Sequence, residues 1–421
     1  MLDLFFQAKD LVFSKTAKDT GIMFFGNIAS FLFGIVFVVW AARILEPSGW
    51  GVVSGAIGLV AIFGSFGDLG LTSSLFAFVS GKWAKGQKKE ANNVQNFIFS
   101  LRVISSTILC LILVIFSKQV LALLGSQNIL VIIASSLGLF GGLLIDFQVS
   151  ILQAKLRWYL ASFASVLTNF FRLTFLAILF LLARVSLENV IFVFFLSSFV
   201  SFLLTLFWEK PSLALSGWKK YFGKVSRFSL WMGVNRIAGG SSSRIDSILL
   251  LQLSSAFNAG IVGAARQLSS AVLILLSSFA TVIAPRFSSY KGIHLKKYFE
   301  KTIIFSILLS LGVCLGIFLV EPITFLFGPK YNQTAGVLSY FLVGLIPFAL
   351  SAPAVNALIY SFRKPIVIGI LSAIQLPLIF LGNWYLIPIL GIYAPVLVVF
   401  LWNLSTLLVA SIFVHFYFKK E

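Results

Sequence analysis

Cysteine is almost absent from this 421-residue chain. The two present, Cys110 and Cys314, each lie inside an apolar run, which excludes a disulfide framework and leaves both as small buried hydrophobes. Histidine is equally scarce. His294 lies in a basic stretch and His415 near the C-terminus, neither with carboxylates or cysteines close in sequence, so no metal site and no histidine-based catalysis is expected. No G-x-x-x-x-G-K-S/T loop and no G-x-G-x-x-G fingerprint occurs, which excludes an ATP-driven pump carrying its own nucleotide domain and leaves no cofactor to expect. Acidic residues are few, with 13 Asp and Glu against 32 Lys and Arg and a net charge of +19.

The remainder is apolar. Hydrophobic residues make up 59% of the chain and charged residues 11%, and 46 phenylalanines can face lipid. A soluble domain has no use for that much apolar surface, whereas an all-α polytopic membrane protein does. At about twenty residues per crossing, the chain divides into twelve transmembrane spans. The first six are 20–42, 52–80, 94–116, 128–152, 159–182 and 189–208; the second six are 228–252, 259–284, 302–320, 335–361, 366–388 and 391–415. Basic residues crowd one set of alternate loops, from Lys82, Lys85, Lys88 and Lys89 through Lys155 and Arg157 to Lys219, Lys220 and Lys224. The other set holds only Arg43, Lys118, Arg184 and Lys330, so both termini are expected on the cytoplasmic side. The same placement argues against nucleic acid as the partner of so basic a chain. Leu2, Phe5, Phe6, Lys9, Val12 and Phe13 recur at helical spacing, as an amphipathic helix on the inner membrane face or as a polar tail. No signal-peptide pattern is seen there.

The longest polar stretch, Glu209 to Arg227, sets the expected organisation: an N-terminal six-helix lobe (1–208), a cytoplasmic linker (209–227) and a C-terminal six-helix lobe (228–421). A faint repeat accompanies it. Asn27-Ile28-Ala29 precedes Gly49-Trp50-Gly51-Val52-Val53-Ser54-Gly55-Ala56 much as Asn235-Arg236-Ile237-Ala238 precedes Asn258-Ala259-Gly260-Ile261-Val262-Gly263-Ala264-Ala265. Either this is chance, or the halves repeat in the same orientation, which is the parallel-repeat transporter plan with the substrate between them.

Charge inside the spans is the sharpest signal. Arg102, Arg172, Arg236, Arg244 and Arg266 lie at membrane depth, opposed only by Asp68, Asp146 and Asp246. An arginine there costs about 2.5–3.5 kcal/mol on insertion scales, so it faces a partner or a water-filled path. At about 1.5 Å per helical residue, Asp246 and Arg266 fall at similar depth on neighbouring spans, as do Asp68 and Arg102 less closely; both read as structural ion pairs. Arg43 can reach Glu46 one turn away. Asp146 lies near the inner end of span four, where a solvated surface carboxylate is the plain alternative. The three aspartates are candidates for coupling transport to an ion. Arg172, Arg236 and Arg244 have no evident partner. The last two are about 80° apart around a helix, so both can look into one cavity. Between them Gly239-Gly240-Ser241-Ser242-Ser243 either bends the span or packs it closely against a neighbour. A planar guanidinium fork suits phosphate, so these three are the candidate phosphate-binding residues.

Ala41-Ala42-Arg43-Ile44-Leu45-Glu46-Pro47-Ser48-Gly49-Trp50-Gly51 resembles the A-R-x-L-G-P-x-x-F/Y-G segment of lipid-linked oligosaccharide flippases, with Glu46 in place of the usual glycine. Asp68-Leu69-Gly70-Leu71 resembles the second-helix motif of the same family. Arg244-Ile245-Asp246, Gly260 to Arg266 and Ala284-Pro285 follow in the expected order, with Ala264 where tyrosine is common. The chain is similar to the Wzx-like polysaccharide-export branch of the multidrug/oligosaccharide-lipid/polysaccharide (MOP) exporter superfamily. That resemblance implies a MATE-like fold of two lobes in a bacterial or archaeal cytoplasmic membrane. It implies no enzyme activity, but alternating-access transport of an undecaprenyl-pyrophosphate-linked glycan to the outer leaflet, in association with membrane lipids and other polysaccharide assembly proteins. The alternatives are a drug or organic-cation antiporter of the same superfamily, which would want acidic groups in its cavity, and a membrane glycan polymerase or ligase, which would want a larger outer loop.

Overall fold

The computed structural model describes residues 15–213, 218–290, 292–362 and 364–420. The segment read as amphipathic, residues 2–13, lies outside them. All regular elements among the described residues are helical. In the first part of the chain they are α1 (Lys15–Asp68), α2 (Leu71–Leu75), a π-helical turn (Phe76–Ser80), α3 (Gly81–Ala84), α4 (Lys88–Ile115), α5 (Ser117–Leu124), α6 (Ile129–Ala154), α7 (Trp158–Leu181) and α8 (Leu187–Thr205). In the second they are α9 (Trp218–Ser242), α10 (Ile245–Leu253), α11 (Ala256–Ser289), α12 (Gly292–Gly316), α13 (Val320–Phe325), α14 (Asn332–Asn356), α15 (Pro365–Leu390) and α16 (Ala394–Lys420). The apolar runs carry the helices, and local chemistry ends them. Asn128 accepts from the N–H of Leu130 at the start of α6, and Ser186 from that of Asn189 at the start of α8.

By length and composition, nine helical stretches among the described residues can cross a membrane. Two of these each hold two crossings: Phe25–Asp68 is interrupted at Glu46, and Ile366–Lys419 at Gly391, whose φ is 57°. One more crossing, too polar to qualify by composition, is formed by α9 and α10. The twelve expected spans are thus present, and α9 already begins at Trp218, inside the stretch read as linker.

By packing, the chain forms two compact units. The first contains Met1–Ala41, Val60–Ala122 and Ser126–Ile237; the second contains Ala42–Leu59, Leu123–Gly125 and Ala238–Glu421. This grouping by contact follows a different line from the lobes 1–208 and 228–421, which remain a proposal. In the first unit α6 is central, packed on α8, α4 and α7, with Phe97, Ile98, Phe147 and Ile151 fully buried. Its C-terminal end is tied by Glu209, which takes the Lys155 ammonium, Arg157 at 3.4 Å and the Gln95 amide at 3.1 Å. Lys155 also sits 4.5 Å from the Trp83 ring centre; burial pulls its ammonium below the usual lysine range, against the opposing pull of Glu209. In the second unit α14 is central, packed on α16, α11 and α12.

The later parts of the faint repeat, residues 49–56 and 258–265, meet inside this second unit. A Cβ on Gly51 would overlap the carbonyl oxygen of Ala256, and one on Gly260 would overlap that of Pro47. In the repeat, Gly51 corresponds to Gly260 and Pro47 to Ala256, so the two contacts are the same contact seen from each side. That reciprocity is what a two-fold related pair of segments produces.

Glu46 explains the interruption of α1. Its φ of 58° and ψ of 172° fall in a region open essentially to glycine, at a cost of about 1–3 kcal/mol. The carboxylate is held by Lys330, and Pro47 restarts the helix. The expected Arg43–Glu46 pair is therefore corrected: the break removes the helical spacing that would have joined them, and Glu46 turns to Lys330 instead.

Two outcomes follow for melting temperatures of the detergent-purified protein. Gly260→Val should cost at least about 1–3 kcal/mol through overlap with Pro47, whereas Gly312→Ala, with open space around it, should not destabilise. Glu46→Gly should raise stability, because about 1–3 kcal/mol of backbone strain outweighs an exposed ion pair of about 0–1 kcal/mol.

Candidate functional site

In the first unit the polar cluster begins where α1 ends. Leu69 and Gly70 have positive φ, 44° and 74°, and Gly70 packs so closely on α9 that a Cβ would lie 2.8 Å from the Gly233 nitrogen. Only glycine fits this turn without both strain and overlap. The turn frees Asp68 to reach forward, where its Oδ1 accepts from Thr72 Oγ1 at 2.6 Å and from the Thr72 N–H at 3.3 Å. The same carboxylate is paired with Arg102, whose side chain is 1% exposed. Arg102 also donates from Nη2 to Thr72 Oγ1 at 3.1 Å and from Nε to the Leu143 carbonyl at 3.1 Å. A buried arginine is tolerated on these terms, with its charge paired and its fork hydrogen-bonded.

Arg236 was expected to stand alone and does not. Its Nε lies 3.5 Å from Asp68 Oδ2, and its side chain is 57% exposed. The Gly70 turn lies against Gly233 on α9, one turn before Arg236, and so brings this helix beside Asp68; no sequence spacing announces that approach. Asp146, on α6, has an exposed side chain and no hydrogen bond or ion pair to a described residue, while lying within electrostatic reach of Arg102, Arg236 and Asp68.

Arg172 lies apart from that cluster, half-buried on α7. Its guanidinium carbon is 3.8 Å from the Phe194 ring centre, and Nη1 donates to Asn169 Oδ1 at 2.8 Å. Asn169 in turn donates to Ser30 on α1 at 2.8 Å. No carboxylate among the described residues pairs with Arg172. The ring and the amide orient the guanidinium without neutralising it. Asn169 was missed as its partner, although its position one turn before Arg172 is a signal of its own.

In the second unit the Gly/Ser run ends α9 at Ser242. Arg244 is non-helical, with φ −136° and ψ −8°, and α10 starts at Ile245, so span seven is broken rather than only bent. Gly and Ser are poor helix formers, and Ser243 turns its hydroxyl to the Gly240 carbonyl at 2.8 Å. The break places Asp246 in the first turn of a new helix, 2% exposed and paired with Arg266. Arg266 also donates to the Ser243 carbonyl at 2.6 Å and lies 5.3 Å from the Phe341 ring centre. Arg244 is half-buried, and its guanidinium makes no hydrogen bond or ion pair with a described residue. Buried atoms without a hydrogen-bond partner gather here: Ser241 Oγ, Ser242 Oγ, Asp246 Oδ1 and Arg266 Nε. They leave hydrogen-bonding capacity beside Arg244.

Guanidinium groups not matched by a carboxylate offer hydrogen-bond donors of the kind an anion requires. The described residues include no group of three or more His, Cys, Asp or Glu side chains that could hold a metal ion. Asp68→Ala should destabilise the protein by about 3–5 kcal/mol, because Arg102 would be left as an uncompensated buried charge; Arg172→Ala, which breaks no ion pair, should cost clearly less in the same thermal melt.

Residues 16–291 match the family model described as polysaccharide biosynthesis protein. No curated protein matches the chain. Among solved structures, it is similar to an inward-facing multidrug-resistance MATE family transporter of the MOP superfamily, at 14% identity, 93% coverage of this chain, 95% of that chain and a TM-score of 0.73. It is equally similar to the lipid II flippase MurJ in an inward closed conformation, at 14% identity, 95% and 87% coverage and a TM-score of 0.73. A MOP superfamily transporter from Pyrococcus furiosus matches at 16% identity, 95% and 93% coverage and a TM-score of 0.52. These likenesses establish the fold.

Proposed function

This chain belongs to the polysaccharide biosynthesis protein family, and on that ground we propose that it flips a lipid-linked glycan, joined to undecaprenyl by pyrophosphate, to the outer leaflet of the cytoplasmic membrane. It is a multi-pass transporter with the MATE and MurJ fold, and no bond of the substrate is made or broken. The observation that carries the reading is the balance of charge at membrane depth. Arg102 and Arg266 are matched by Asp68 and Asp246. Among the described residues, Arg172 is held by an amide, a carbonyl and a ring and no carboxylate, Arg244 has no carboxylate in ion-pair contact, and Arg236 is half free at 3.5 Å from Asp68. The surplus is positive. A cation would be repelled by it, whereas a pyrophosphate offers these donors two phosphates' worth of acceptor oxygens.

In this reading the lobes 1–208 and 228–421, joined by 209–227, alternate between inward- and outward-open states. The lipid tail stays in the bilayer while sugar and pyrophosphate cross. Arg172, Arg236 and Arg244 neutralise the pyrophosphate, and the aspartates Asp68, Asp146 and Asp246 are the places where an ion could couple to the cycle. The inner-leaflet substrate would be supplied by membrane-associated glycan assembly proteins.

Arg172→Ala, Arg236→Ala and Arg244→Ala should each abolish surface glycan in cells while the protein still inserts at wild-type level, as read by quantitative membrane blots and glycan labelling. Normal glycan in all three variants would remove the site assignment. Uptake of fluorescent cations in exchange for protons, without exposure of lipid-linked sugar in vesicles, would instead support the antiporter.

A further inference from the structure

Three carboxylates lie at membrane depth, and their surroundings differ. Asp68 is fixed by Arg102 and Thr72, and Asp246 by Arg266. Asp146 is fixed by nothing among the described residues. It follows Leu143 by one turn of α6, and the Leu143 carbonyl accepts from Arg102, so this stretch of α6 lies against the Asp68 cluster. The charged groups acting on Asp146 are Arg102 from α4, Arg236 from α9 and Asp68 from α1; α2, the π-helical turn, α7 and α8, which also pack on α6, add none. Arg102 has its donors engaged by Asp68, Thr72 and Leu143. Arg236 does not: one nitrogen approaches Asp68 at 3.5 Å, and more than half of the side chain is open.

The formal charges of this cluster decide what it can hold. With Asp146 ionised, two arginines face two aspartates and the cluster is neutral. With Asp146 protonated, it carries one net positive charge, located on the exposed Arg236. We propose that Asp146 is a proton-binding residue that gates phosphate binding at Arg236, so that an anionic lipid phosphate binds together with one proton taken from water onto the Asp146 carboxylate. Loss of that proton on the other side of the membrane restores neutrality and loosens the phosphate. The proposal rests on the phosphate reading above and adds its coupling ion.

The test uses the purified full chain in detergent with undecaprenyl pyrophosphate as the probe, by titration calorimetry in buffers of different ionisation enthalpy. Wild type should bind about tenfold or more tighter at mildly acidic than at mildly alkaline pH, with net proton uptake. Asp146→Asn should bind tightly at both pH values, with less proton uptake than wild type. Asp146→Glu should keep the wild-type pattern, and Arg236→Gln should bind weakly with little pH dependence. The probe's own ionisation contributes equally to every variant, so the comparison isolates Asp146. Wild-type binding whose pH dependence and proton uptake persist unchanged in Asp146→Asn, or in Arg236→Gln should the first variant not fold, overturns the proposal alone. No binding by wild type at any pH overturns the phosphate reading, and the proposal with it.

Discussion

The pairing of Arg102 with Asp68 is the constraint on which the first unit depends. Both side chains are almost wholly removed from solvent, where a charge left alone costs several kcal/mol and a matched one is tolerated only if its remaining hydrogen bonds are made. The fold meets that condition through backbone geometry. Asp68 ends a long helix, the Leu69–Gly70 turn carries the chain into α2, and Thr72 then reaches both partners. Arg102 completes its fork on a carbonyl of α6. One ion pair therefore joins the end of α1, the start of α2, α4 and α6. Through its second oxygen it also sets the place of Arg236.

The second unit solves the same problem in the same way. A helix breaks at Ser243–Arg244, an aspartate falls in the first turn of the helix that follows, and an arginine from the next long helix neutralises it. The carboxylate is also favoured there by the helix N-terminus. In both units, irregular backbone at membrane depth sits beside paired charge and leaves a neighbouring arginine, Arg236 or Arg244, less constrained than the pair itself. Under the proposed function such partly committed cations suit binding and release better than fully matched ones, because their donors could turn to a phosphate without breaking the pair that holds the fold.

Much of this was legible in particular residues, for reasons that also explain the failures. Asp246 with Arg266, and Asp68 with Arg102, could be paired because consecutive antiparallel spans convert sequence distance into depth. The same rule misled at Arg43 and Glu46. It assumes an unbroken helix, and Glu46 stands in a backbone region where only glycine is relaxed. Arg236 has no partner legible from its sequence position, because Asp68 is neither a sequence neighbour nor on an adjacent span. Lys155 counts in the sequence as one more basic loop residue, yet it is buried on Glu209 and Trp83. A loop's polarity does not reveal which of its side chains turns inward.

By itself the sequence determined the fold class, the number of crossings and the sign of the interior, because these follow from apolar length and from the excess of arginine over aspartate at depth. Its loose motifs determined the family. Only the tertiary structure decided which charges are matched, where span seven breaks and why Gly51 and Gly260 must be glycine. Those outcomes depend on backbone turns and on contacts between segments far apart in the chain. The most consequential is the place of Asp146, which as a sequence position is one more acid near a helix end, and in the fold lies within electrostatic reach of Arg102 and Arg236 with no hydrogen bond or ion pair to a described residue.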